Sequence, residues 1–493
     1  MLYLNYKKVV KYGSEEMSDL IKKAMDEVEN KKNMVEKDYH RLSYHLMAPS
    51  GLINDPNGFS YYDGRYHLFY QWNPFECNHS TKFWGHFTSK DLVSWENLLP
   101  ALAPEDWYDK NGCYSGSAIE KDGQLILFYT GNVKDDRGNR ETYQCLAVSD
   151  NGEDFEKLGP VIVNQPEGYT RHFRDPKVWK DGEVYYAVIG AQRENLTGAA
   201  ALYNSPDMKN WNFLGEIKTD LGNFGYMWEC PDYFEINGEG VFIFSPQGIA
   251  AEGDRYNNIY QSGYVLGSLD LEKVTLQHDG FHELDRGFDF YAPQTMIDEK
   301  GRRIMVAWGG LPEVNYPSED KGWVHCLTMP RELEIIDGKL VQRPIEEMKK
   351  LRKDFVQVKD IFSGKKTYPG IEGDSFEIIC RIKSIEAEEF GINLRVGKNE
   401  KTVLKYNRID KKVILDRSSS GELFAEEYGT TRKCSLDSSE IIFHIFMDRS
   451  LTEVFINDGA EVFTARIFPD EKSQGIEFFS NGKAEISIKK WNI

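Results

Sequence analysis

The sequence predicts an all-β chain: a five-bladed β-propeller followed by a C-terminal β-sandwich, with a short N-terminal helix. Three observations carry this. Helical periodicity ends near Tyr39. From there a hairpin signal recurs at intervals of roughly sixty residues. Past residue 354 the pattern changes to short alternating strands between turn residues. The expected domains are a helical extension over 1–38, the propeller over 39–343, a linker helix over 344–354 and the sandwich over 355–493.

The N-terminal helix is expected over 14–36. Ser14 would cap it, and Glu15 and Glu16 would complement the dipole of the first turn. Met17, Leu20, Ile21, Ala24, Met25 and Val28 fall on one face, to be packed against the domain that follows.

The propeller reads from paired turn signals. Tyr62-Asp63-Gly64, Lys121-Asp122-Gly123, Lys180-Asp181-Gly182, Ile236-Asn237-Gly238 and Asp298-Glu299-Lys300-Gly301 each precede a strand-like run. Asp-Gly and Asn-Gly supply the positive φ values of tight hairpins. Second signals begin at Ser89, Ser149, Ser205 and Ser268. Two hairpins per unit make four strands, and a lone four-stranded sheet must bury its faces against neighbours. Beyond the linker opened by Pro344, strands are expected at Ser375–Ile382, Ile392–Val396, Val403–Asn407, Val413–Asp416, Ile441–Met447 and Glu453–Ile456.

A formal net charge of −19 argues against nucleic acid or an anionic membrane as partner. No apolar run is long enough to span a bilayer, and the first residues lack the apolar core of a signal peptide. Seven cysteines without a Cys-x-x-Cys pair suit reduced thiols in a cytoplasm. No ligand spacing indicates a metal, and no cofactor is expected. The oligomeric state, monomer or homodimer, stays open.

The first strand of each propeller blade lines the central channel. Its start holds Asn54-Asp55-Pro56, Tyr114-Ser115-Gly116-Ser117, Arg174-Asp175-Pro176, Glu229-Cys230-Pro231 and Asp289-Phe290-Tyr291-Ala292 in turn. The repeat therefore gathers Asp55, Asp175 and Glu229 at one end of one channel. Crowded carboxylates force their pKa values apart, which is what glycoside hydrolysis needs. Asp55 on a stiff turn suits a nucleophile, and Glu229 on a longer side chain suits an acid/base. Asp175, beside Arg174, is expected to stay ionised and bind hydroxyls. Acids that merely cap loops or bind calcium are the plainer alternative.

Asn54-Asp55-Pro56-Asn57-Gly58, Arg174-Asp175-Pro176 and Glu229-Cys230-Pro231 resemble the three signature motifs of glycoside hydrolase family 32, the invertases and fructan hydrolases. Phe69-Tyr70-Gln71, Trp84-Gly85-His86, Tyr114-Ser115-Gly116-Ser117 and Asp289-Phe290-Tyr291-Ala292 support the resemblance, which covers essentially the whole chain. It implies Asp55 as nucleophile, Glu229 as acid/base and Asp175 as holder of fructosyl hydroxyls. It further implies substrate contacts from Leu52, Ile53, Asn54, Gln71, Trp84, Tyr114, Ser115, Arg174, Asp289 and Trp308. Leu52-Ile53 replaces the family's usual Trp-Met/Ile, which alters the apolar rim.

The expected substrate is sucrose 6-phosphate, and sucrose, by comparison with the cytoplasmic bacterial branch of that family. The runner-up is a cytoplasmic hydrolase of sucrose or short fructo-oligosaccharides without phosphate preference. A non-catalytic sugar-binding propeller would have lost an acid. An inverting arabinan-type hydrolase would lack the Asn-Asp-Pro-Asn-Gly pattern. Basic residues in expected mouth loops, open to a phosphate, are Arg137, Arg140, Arg193, Arg255 and Lys321.

Overall fold

A computed structural model describes residues 17–493. Ser14, Glu15 and Glu16 lie outside the described residues. The helix itself spans Asp19–Glu36, with Ser18 as its cap accepting from the Ile21 N–H at 3.2 Å. Ala24 and Val28 are buried in the core of the first blade, and Leu20, Ile21 and Met25 pack around them. Among the described residues no helix is long and apolar enough to cross a membrane.

Five mainly antiparallel sheets follow as propeller blades. Their inner strands are Gly51–Tyr62, Cys113–Lys121, Tyr169–Asp181, Met227–Ile236 and Tyr291–Ile297. Each turns into a second strand at one of the hairpin signals. In three of these turns both central residues have positive φ: Asp63 and Gly64, Asp122 and Gly123, Asn237 and Gly238. That geometry matches the twist of the strands it joins. The second signals also form hairpins, in which Trp95 and Trp211 donate back to the carbonyls of Leu92 and Met208 at 3.0 and 2.7 Å. Trp323–Val324 pairs in parallel with Gly51–Leu52, so the fifth blade's excursion closes the ring on the first.

The fifth blade ends with Arg331–Ile336 and Lys339–Pro344, joined at Asp337-Gly338, a turn the sequence reading passed over. The linker is a short 3₁₀ helix, Glu346–Leu351. Beyond it the sandwich strands form around one apolar core that includes Phe376, Ile378, Phe390, Phe443 and Phe478. Its long strand Gly475–Asn492 pairs with Lys353–Lys366, Ser375–Ser384 and Glu389–Val396, and so ties the two layers together.

The propeller and sandwich are fastened by buried charges. His45 lies between Asp448 and Glu453 at 2.9 and 3.0 Å. Arg331 reaches Glu453, and also Asp285 at 3.1 Å. Paired charges of this kind stay buried only because every partner is hydrogen-bonded.

Candidate active site

All five inner strands break register near their starts. The bulges fall between Ile53 and Pro56, Tyr114 and Gly116, and Glu229 and Asp232. The other two lie at Arg174–Lys177, opposite Gly190 and Val188, and between Tyr291 and Gln294. A bulge lodges an extra residue and re-aims side chains, which suits the rim of a site. In three blades the bulge opens with a non-glycine residue at positive φ: Asp175 at 66°, Cys230 at 47° and Ala292 at 48°. Each precedes a proline. Such backbone costs of order 1–3 kcal/mol and is held only where the surroundings enforce it.

Asp55 sits in a ring of hydrogen bonds. Ser115 Oγ donates to its Oδ2 at 2.5 Å, and Asn54 Nδ2 donates to its Oδ1 at 3.1 Å. Asn54 also donates to Gln71 Oε1 at 2.7 Å, and Gln71 Nε2 donates to Ser115 Oγ at 2.7 Å. Lys82, missed in the sequence, completes the set by donating from Nζ to Asn54 Oδ1. Asp55 is half-buried and its carboxylate is surrounded by protein. That desolvation pushes its pKa up, the Ser115 hydrogen bond opposes the rise, and the charge of Glu229 adds to it. Burial pushes Lys82 down to about 7 against the pull of Asp55.

Glu229 has different neighbours. Arg174 donates to its Oε1 from Nη2 at 2.6 Å and from Nε at 3.1 Å. Its Oε2 accepts from Tyr291 OH at 2.6 Å and Gln247 Nε2 at 2.7 Å. Asp175 accepts from the Cys230 N–H at 3.1 Å, while its own N–H donates to Thr130 Oγ1 at 3.0 Å. Cys230 Sγ lies 3.9 Å from Asp55 Oδ2, so one residue touches two of the acids and adjoins the third.

The expectation that Arg174 would hold Asp175 ionised needs correction. The guanidinium turns to Glu229 and stands 3.8 Å from Asp175. Burial then dominates: Asp175 is pushed up to about 7, with Arg174 opposing and Glu229 and Asp55 adding.

Of the expected contacts, Asn54, Gln71, Ser115 and Arg174 surround the acids. Leu52 and Trp308 share an apolar cluster with Cys230 and Tyr291. Among the described residues the buried Trp308 indole N–H has no partner. Tyr114 is half-buried beneath the guanidinium of Arg140.

Three expected contacts are placed elsewhere. Ile53 is fully buried in the first blade's core, because successive strand residues face opposite ways. Trp84 is also fully buried, and its indole donates to the Tyr114 carbonyl at 3.1 Å, so it positions its neighbour. Asp289 joins the two domains: its carboxylate accepts from Tyr316 OH at 2.6 Å, the Arg466 N–H at 2.7 Å and Arg417 at 3.2 Å. Tyr291 takes the place expected of it. Aligning Arg174-Asp175-Pro176, Glu229-Cys230-Pro231 and Tyr291-Ala292-Pro293 on their prolines would have found it.

Family models for the glycosyl hydrolases family 32 N-terminal domain and C-terminal domain match residues 45–344 and 347–493. The chain belongs to glycoside hydrolase family 32. It is thus a glycoside hydrolase. It is 46% identical to the sucrose-6-phosphate hydrolase of Bacillus subtilis, over 96% of this chain and 98% of that protein. The Staphylococcus xylosus sucrose-6-phosphate hydrolase is 43% identical, over 94% and 95%. Among solved family structures, the sucrose-6-phosphate hydrolase from Lactobacillus gasseri superposes with a TM-score of 0.89 at 35% identity, covering 95% of this chain and 96% of that one. A Bombyx mori GH32 beta-fructofuranosidase gives 0.83 at 34%, covering 96% and 97%.

Proposed function

We propose that this enzyme is a retaining β-fructofuranosidase that hydrolyses sucrose 6-phosphate, and also sucrose, by double displacement. Asp55 attacks the fructosyl anomeric carbon, the bond to the glucosyl oxygen breaks, and Glu229 delivers a proton to that oxygen. Water, giving its proton to Glu229, then attacks the same carbon and releases Asp55. Asp175, Arg174, Asn54 and Gln71 hold the fructosyl hydroxyls, and the unpartnered Trp308 N–H is a further donor.

The observation that carries this reading is the unlike setting of two carboxylates around Cys230. Asp55 is clamped by Ser115 and Asn54, as an attacking group must be. Glu229 shares its two oxygens among three side-chain donors, Arg174, Gln247 and Tyr291, none of them a fixed clamp on a single oxygen pair. A proton can therefore be taken up and lost within one hydrogen-bonded set. The sucrose-6-phosphate hydrolases among the relatives support the phosphorylated substrate. Seven free cysteines, six of them buried, suit a reducing cytoplasm, where a sugar phosphate is retained by its charge.

The test is kcat/KM for sucrose 6-phosphate against sucrose. A clear preference for the phosphorylated sugar is expected. Equal values would favour a hydrolase of sucrose or short fructo-oligosaccharides.

A further inference from the structure

A dianionic substrate meets an electrostatic problem here. The chain carries a net charge of −19, and three carboxylates line the reaction centre. A phosphate on the leaving sugar needs a cation that no carboxylate already neutralises.

Most basic residues near the mouth fail that condition. Arg174 is taken by Glu229. Arg193 is held by both oxygens of Glu216 and by the Gly198 carbonyl, and Arg255 pairs with Glu252. Arg137 and Lys321 have no ion pair among the described residues but are exposed, where side-chain entropy opposes fixing them on a ligand. Arg140 is different. It is half-buried, and among the described residues its guanidinium has no ion pair or hydrogen bond. It lies 5.4 Å from the centroid of the Tyr114 ring. Stacking on an aromatic face fixes a guanidinium while leaving its N–H edge free.

The position is also suitable. Arg140 lies close enough to Arg174, Glu229 and Asp175 for their charges to act on its guanidinium, and the ring it covers belongs to the residue before Ser115. His172, half-buried and near enough to feel the charge of Arg140, accepts at Nδ1 from Arg174 Nη1 at 3.1 Å. That contact leaves the proton on Nε2, as a donor. Burial first, then the charges of Arg174 and Arg140, push His172 down to about 4, so it stays neutral at neutral pH. The contacts Glu229–Arg174–His172 therefore lead from the acid that protonates the leaving oxygen to the neighbourhood of Arg140. Lys134, the strand partner of Arg140, adds an exposed positive charge at the rim.

We infer that Arg140, aided by the Nε2–H of His172, binds the phosphate of the leaving glucosyl group and so sets the preference for a phosphorylated disaccharide. This rests on the substrate reading above.

The experiment measures the ratio of kcat/KM for sucrose 6-phosphate to that for sucrose, in wild type, Arg140→Gln and Arg140→Lys. It also compares inhibition by glucose 6-phosphate and by glucose. In Arg140→Gln the ratio is expected to fall about ten- to a hundredfold, the worth of one charge-assisted contact. The advantage of glucose 6-phosphate over glucose should shrink in parallel. Arg140→Lys, a point charge without the fork, should lie between, and it decides the matter if the Gln variant does not fold. A ratio unchanged from wild type in either folded variant overturns the inference. A wild-type ratio near one overturns the substrate reading itself, and this inference with it, before any variant is made.

Discussion

Arg174 places two guanidinium nitrogens on one oxygen of Glu229, at 2.6 and 3.1 Å, while standing 3.8 Å from its sequence neighbour Asp175. The acid/base and the main cation of the site are thus paired before a sugar arrives. Binding must redistribute that pair, because Glu229 has to carry a proton when the glycosidic bond breaks. Lysine cannot span Glu229 and His172 as the guanidinium does. Arg174→Lys is expected to lower kcat/KM for sucrose roughly 10²- to 10³-fold with little change in Tm. Loss of less than threefold in steady-state assays would show the pair to be dispensable.

Ser115→Ala removes the shortest hydrogen bond to the Asp55 carboxylate. That bond favours the ionised form, so without it the pKa of Asp55 rises further. The acid limb of the kcat/KM profile is expected to move to higher pH, with activity at neutral pH reduced about tenfold. A limb that stays in place, or moves down, would mean that Asp55 does not control it.

Asp175 shows what the site costs the fold. Its folded pKa, about 7, lies above the ordinary 3.8, so between those values the folded chain holds a proton that the unfolded chain releases. Stability therefore falls as pH rises through that window and stays reduced above it. Asn at this position keeps an acceptor for the Cys230 N–H but carries no charge. Asp175→Asn is expected to abolish most turnover and to raise Tm at about pH 7.5 by a few degrees, with no gain near pH 3.5. A lower Tm than wild type at the higher pH would contradict this.

His45 behaves in the opposite sense. Burial alone would lower its pKa, but hydrogen bonds and charges from Asp448 and Glu453 outweigh it and raise the value from 6.5 to about 9. Its contribution is full below pH 6.5 and is lost as pH rises through about 9. Wild-type Tm should therefore fall between about pH 7 and 9.5, and His45→Gln should be less stable at neutral pH with a flatter profile. Equal slopes for the two proteins would remove His45 from the account.

The blades were legible because Asp-Gly and Asn-Gly turns are local: two residues dictate the backbone wherever they occur. The three acids were legible because repetition converts sequence period into spatial register. The bulges were not, since a bulge is a relation between two strands and shows in neither alone. That is why Tyr291, which fills the place beside Glu229, went unnoticed, while Asp289 entered only through the family resemblance. Lys82 carries no motif and follows an irregular turn at Asn78–Ser80 that Asn73 ties down. Lys353–Lys366 escaped notice because most of its residues are exposed or half-buried, so it lacks the apolar alternation of its neighbours.

The central claim is that Asp55 forms a bond to the fructosyl carbon before water does, which inverts configuration twice. Proton NMR of the first sugar released from sucrose, recorded faster than mutarotation, tests it directly. The account predicts β-fructofuranose as the initial product, from carboxylates about 5–5.5 Å apart. Initial α-fructofuranose would mean that water attacks first and Asp55 is a base, and the assignment would be wrong.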